Sequence, residues 1–96
     1  MALTYYERKV IQRTVGVLNT NGVSFERVTA GTLDGKRAIC AVLTPQTKSD
    51  EISNLRENLQ KRFRKADVIL GNCVTRPYAP EICYPTVYVV IKGANR

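Results

Sequence analysis

Apolar residues follow two different spacings along this chain, and the switch between them predicts its elements. From Thr4 they recur at Val10, Ile11, Val15 and Leu18, while Glu7, Arg8, Lys9, Gln12 and Arg13 take the other side. That spacing is one face of a helix. Thr4 and Glu7 stand at the distance of a capping box. Asn19-Thr20-Asn21-Gly22 then supplies a stop, because Asn and Gly tolerate positive φ. The first helix is predicted over residues 4–19. Val15 and Val17 lower its intrinsic propensity, so packing must hold it. Of Tyr5 and Tyr6 in its first turn, one is expected to pack and one to be exposed.

Two strand-like runs follow, residues 23–33 and 36–44, joined by Asp34-Gly35. Asp-Gly suits a type I′ turn, whose two central residues both need positive φ. The second run, Ala38-Ile39-Cys40-Ala41-Val42-Leu43, is apolar on both faces and belongs inside a sheet. The first loses its alternation after Phe25, which predicts a bulge near Glu26-Arg27.

Pro45 ends the second strand, and Thr47, Ser49 and Asp50 are N-cap candidates for a second helix. Ile52, Leu55, Leu59, Phe63 and Ala66 give the cleanest amphipathic stripe in the chain. Asp50 and Glu51 stand in its first turn. Lys61, Arg62, Arg64 and Lys65 are expected in its last, where cations complement the helix dipole. Further strands are predicted over residues 67–74 and 86–91. The stretch 75–85 carries Pro77, Pro80 and Pro85, too many for ladder pairing, and reads as an ordered loop. Residues 93–96 read as a frayed tail.

The resulting order is helix, strand, strand, helix, strand, strand, with the helix-hairpin unit appearing twice, at about 4–46 and 47–93. The expected fold is a single α+β domain over residues 1–96. It is a two-layer sandwich with two helices on one face of a four-stranded, mainly antiparallel sheet. The other sheet face is expected to be solvated or to bind a partner. The last strand, 86–91, is a candidate edge for pairing with a second copy across a two-fold axis. The length of 96 residues fits one such domain, and 44% hydrophobic residues with 24% charged is ordinary globular usage.

Chemistry is constrained mostly by what is missing. There is no His, which removes the commonest general base and metal ligand together. Neither a P-loop nor a dinucleotide-binding glycine pattern occurs. Cys40, Cys73 and Cys83 have no C-x-x-C spacing and no His to complete a zinc site, so no metal or cofactor is expected. Cys40 reads as a small core residue. The odd cysteine count, and an N-terminus without a basic segment leading into an apolar stretch, predict reduced thiols and a cytoplasmic location. The carboxylates are scattered, and no catalytic set is expected. No apolar run approaches the ~20 residues of a membrane span.

Positive charge remains. The net charge is +7, with 15 Lys+Arg against 8 Asp+Glu. The excess concentrates at Arg56, Lys61, Arg62, Arg64, Lys65 and Arg76. Such a surface attracts phosphate backbones. On an extended second helix, however, these cations encircle the solvent side instead of forming one stripe, as a solvated helix end does. Tyr78 and Tyr84 beside Arg76 suit base stacking with phosphate contact, a protein-contact hot spot, or rings folded back on the sheet. The expected function is therefore a small nucleic-acid-binding module, RNA or DNA, using Arg56, Lys61, Arg62, Arg64, Lys65, Arg76, Tyr78 and Tyr84. The alternative is a non-catalytic protein-interaction domain, such as an inhibitor or adaptor encoded by a virus or mobile element. A third is a structural subunit of a ribonucleoprotein or virion.

Overall fold

The computed structural model describes residues 4–91. The predicted tail at 93–96 lies outside them. Two helices, α1 (Tyr5–Thr20) and α2 (Ser49–Arg62), and six strands, β1 (Phe25–Leu33), β2 (Lys36–Leu43), β3 (Asp67–Leu70), β4 (Val74–Arg76), β5 (Ala79–Tyr84) and β6 (Thr86–Val90), follow in the order α1-β1-β2-α2-β3-β4-β5-β6, so four strands and not the expected two follow the second helix. The fold is α+β, with a four-stranded antiparallel sheet in the order β1-β2-β6-β3 and a separate β4-β5 hairpin.

Local chemistry sets most of these boundaries. Thr4 and Glu7 close the expected capping box on α1, each side chain accepting from the other's backbone N–H at 3.0 Å. Gly22, at φ 68°, follows the C-cap Asn21 and turns the chain out of the helix. Asp34 and Gly35 take φ 52° and 78° in the β1-β2 turn, as the Asp-Gly pair requires. The expected bulge in β1 lies between Phe25 and Arg27.

Several expectations are corrected. The N-cap of α2 is Lys48, not Thr47, Ser49 or Asp50; Glu51 Oε1 accepts from the Lys48 N–H at 2.9 Å. The helix stops at Arg62 with Phe63 as C-cap, so Arg64 and Lys65 sit in the following turn and not in the last helical turn. The third strand ends at Leu70, and the proline-rich stretch expected as a loop is a hairpin. Its described ladder partners are Val74 with Tyr84 and Arg76 with Ala79, so no proline has to donate to the ladder. The last strand is not an edge: β6 pairs with both β2 and β3, which leaves β1 and β3 as the outer strands. Because β2 and β3 are each antiparallel to β6, they run parallel to one another, with β6 inserted between them.

One apolar cluster unites Val10 and Leu18 of α1, Leu55 and Leu59 of α2, and alternate sheet residues, among them Ile39 and Leu43 of β2, Val68 of β3 and Val87 of β6. Thr14 is buried in the middle of the α1 stripe, its hydroxyl satisfied by Val10 O at 2.7 Å. The other pleat positions pair Ala38 with Val90, Cys40 with Tyr88, Tyr88 in turn with Ile69, and Val42 with Thr86. Ala38, Val42, Thr86 and Val90 are buried, so of the two expectations for the second sheet face, solvated or partner-binding, the first fails at its centre. The Tyr88 ring lies over Gly71, where any Cβ would collide with it and with the Thr86 hydroxyl. No described helix is long and apolar enough to cross a membrane.

Candidate nucleic-acid interface

The amphipathic stripe of α2 anchors the site by burying Leu55 and Leu59 fully, which turns Arg56, Lys61 and Arg62 outward. The turn after the helix is held by one side chain. Gln60 Nε2 donates to Phe63 O at 3.1 Å and Ala66 O at 2.7 Å, while Gln60 Oε1 accepts from Val68 N–H at 3.2 Å. These bonds fix the segment carrying Arg64 and Lys65. Arg56 Nε donates to Val68 O at 3.1 Å, laying its side chain along the α2-β3 seam. Across the helix pair, Asn58 Nδ2 donates to Asn21 Oδ1 at 2.6 Å, tying the middle of α2 to the end of α1.

Three adjoining depressions surround the C-terminal end of α2. Arg56, Lys61 and Arg64 line the first, with Glu57 and Gln60. Arg13, Lys61 and Arg62 line the second, of about 640 Å³, between the helices beside Gly16. Arg13, Arg62, Arg64 and Lys65 line the third. Shared residues make the surface continuous: Lys61 joins the first two, Arg13 and Arg62 the last two, and Arg64 the first and third. Six cationic side chains thus meet, and among the described residues Glu57 is the one carboxylate lining these depressions. The ion pairs Glu7–Arg37 at 3.6 Å and Glu26–Arg76 at 2.8 Å use none of the six.

Ending the helix at Arg62 draws Arg64 and Lys65 toward Arg13, where a continuing helix would fan them around its axis. Arg13 was missed by the sequence reading. Its position on the polar side of α1 was visible, but its approach to Arg62 depends on how the two helices pack.

The remaining predicted residues form a second cluster elsewhere. Arg76 Nη1 donates to the Tyr78 hydroxyl at 3.0 Å, Nη2 pairs with Glu26 Oε1 at 2.8 Å, and the guanidinium lies 4.7 Å from the Tyr84 ring centroid. The Tyr78 hydroxyl, the Tyr84 ring and Glu26 together raise the Arg76 pKa above the ordinary arginine value. This cluster belongs to the hairpin that follows β3, whereas Lys65 precedes β3. Arg76 is held at Glu26 of β1, the outer strand opposite β3, and neither it nor Tyr78 or Tyr84 is among the described residues lining the three depressions. Tyr78 is 78% exposed. Cys73 and Cys83 clamp the base of the hairpin with a disulfide, Cα to Cα 5.1 Å, which corrects the expectation of reduced thiols.

Tyr5 and Tyr6 are both exposed, contrary to the expectation that one would pack. Tyr5 receives the Lys9 ammonium 5.3 Å from its centroid. Cys40 is half-buried within the sheet and outside the apolar cluster, which corrects its expected place in the core; burial raises its pKa, against smaller lowering by a hydrogen bond with Tyr88 and by Arg27. Among the described residues, no three His, Cys, Asp or Glu side chains gather to hold a metal ion. Comparison with protein-family models, with curated proteins and with solved structures found no match to this chain.

Proposed function

We propose that this protein is a non-catalytic nucleic-acid-binding module whose contact surface is the end of the helix pair. Arg13, Arg56, Lys61, Arg62, Arg64 and Lys65 hold the phosphate backbone. The observation that carries the reading is the convergence of six cations from α1, α2 and the α2-β3 turn on adjoining depressions, where Glu57 is the carboxylate among the described lining residues. In this reading both helices cover one face of the sheet, as their shared apolar cluster supports, and present their outer surface to the ligand. Phosphate contacts release condensed counterions, so affinity falls as salt rises, with a slope set by the number of contacts.

Fluorescence anisotropy with short DNA and RNA over a salt series tests this. Wild type is expected to bind at low salt, and Arg62→Ala and Arg64→Ala to weaken every sequence alike. Each should reduce the salt slope by roughly 1. Absence of binding to DNA and RNA at low salt and micromolar protein overturns the reading.

The hairpin supports a second, separate contact, with a protein. Its Arg76 is already committed to Glu26, and its exposed Tyr78 projects from a disulfide-clamped base. Tyr and Arg on a rigid support are the usual anchors of protein interfaces. The disulfide also favours oxidising surroundings over the cytoplasm expected from the sequence.

A further inference from the structure

We infer that the depression at the junction of α1, α2 and the last strand takes a single unpaired nucleobase, so that the ligand is single-stranded nucleic acid; this rests on the nucleic-acid reading above. The depression measures about 350 Å³, within the range of small-ligand pockets, roughly 300–1,000 Å³. Its apolar lining comes from Val10 of α1, Phe63, and Val89 and Ile91 at the end of the sheet. Its cations are Arg13, Arg62, Arg64 and Lys65, and among the described residues no acidic side chain lines it.

Tyr6 lines the same depression with its ring 54% exposed. It stands one turn before Val10, on the helix that also supplies Arg13. An aromatic ring at the mouth of a cavity with an apolar lining and cations around it offers more than a phosphate needs. A duplex presents phosphates and groove edges while its base faces stay stacked inside. A single strand presents base faces, which stack on Tyr while its phosphates meet Arg and Lys. The combination therefore favours the single strand. Its sequence preference is weak, because every base has a face to stack.

The test compares three probes with equal phosphate number: a short single strand, the same strand with abasic sites, and a duplex. Wild type is expected to bind the base-bearing strand most tightly. Tyr6→Ala should weaken that binding roughly 5- to 150-fold, the loss of one stacking contact. It should leave the abasic strand and the salt slope unchanged, and Tyr6→Phe should retain the preference. Equal affinity for the base-bearing and abasic strands, or no effect of Tyr6→Ala, overturns the base pocket while the phosphate surface stands. Failure of all three probes to bind at low salt instead overturns the nucleic-acid reading itself.

Discussion

Cys40 and Tyr88 face each other across β2 and β6, and both are harder to ionise than the free groups, although the Tyr88 hydrogen bond acts the other way on Cys40. Burial raises the Cys40 pKa, and repulsion from Cys40 is the largest cause raising that of Tyr88, followed by desolvation and their hydrogen bond. Both groups hold their protons more firmly in the folded chain than in the unfolded one. Their contribution to stability is therefore complete at neutral pH and is lost as pH rises through the raised values. Thermal melting from neutral to strongly alkaline pH should show a declining Tm, with a shallower decline in Cys40→Ala. An equal decline in that variant would mean the pair does not control the alkaline limb. Cys40 illustrates what residue-level reading achieves: its place in a strand was legible from its apolar neighbours. The Tyr88 partner was not, because the register between β2 and β6 spans nearly fifty residues of chain.

Elements were legible where a single segment supplies both the signal and the stop. The α1 capping box, the Asp34-Gly35 turn and the interior character of β2 are local properties, and they occur as read. The end of α2 was misjudged because Ala66 continues the apolar spacing, and nothing in the sequence says that Gln60 will bond the turn instead. The β4-β5 hairpin was missed because three prolines argue against a ladder, whereas its few pairs avoid them and the disulfide closes its base. Cys73 and Cys83 are separated by 10 positions in sequence. Closing a loop of that length removes unfolded-state entropy worth roughly 2–3 kcal/mol. Denaturant unfolding of Cys73→Ser/Cys83→Ser should register a loss of about that size. Hydrogen exchange should accelerate at residues 74–84 more than in the four-stranded sheet. Uniform acceleration throughout would show that the bridge supports the whole sheet and not the hairpin alone.

At the scale of the whole molecule, the two groups that composition joined into one basic region occupy different surfaces. The cations around the end of α2 line the three depressions, whereas Arg76 is held at Glu26 of β1, the outer strand opposite β3. Tyr78→Ala and Arg76→Ala should accordingly leave nucleic-acid affinity within twofold of wild type. Loss comparable to Arg62→Ala in the same titration would restore the hairpin to that surface. The sequence by itself determined the α+β class, the start of α1, the β1-β2 turn and the excess of positive charge, because capping, turn chemistry and hydrophobic period act within a few residues. Only the tertiary structure decided which cations share a surface, which strand lies inside the sheet and which tyrosine stands at the cavity. Those depend on helix packing and strand register, which join residues far apart in the chain.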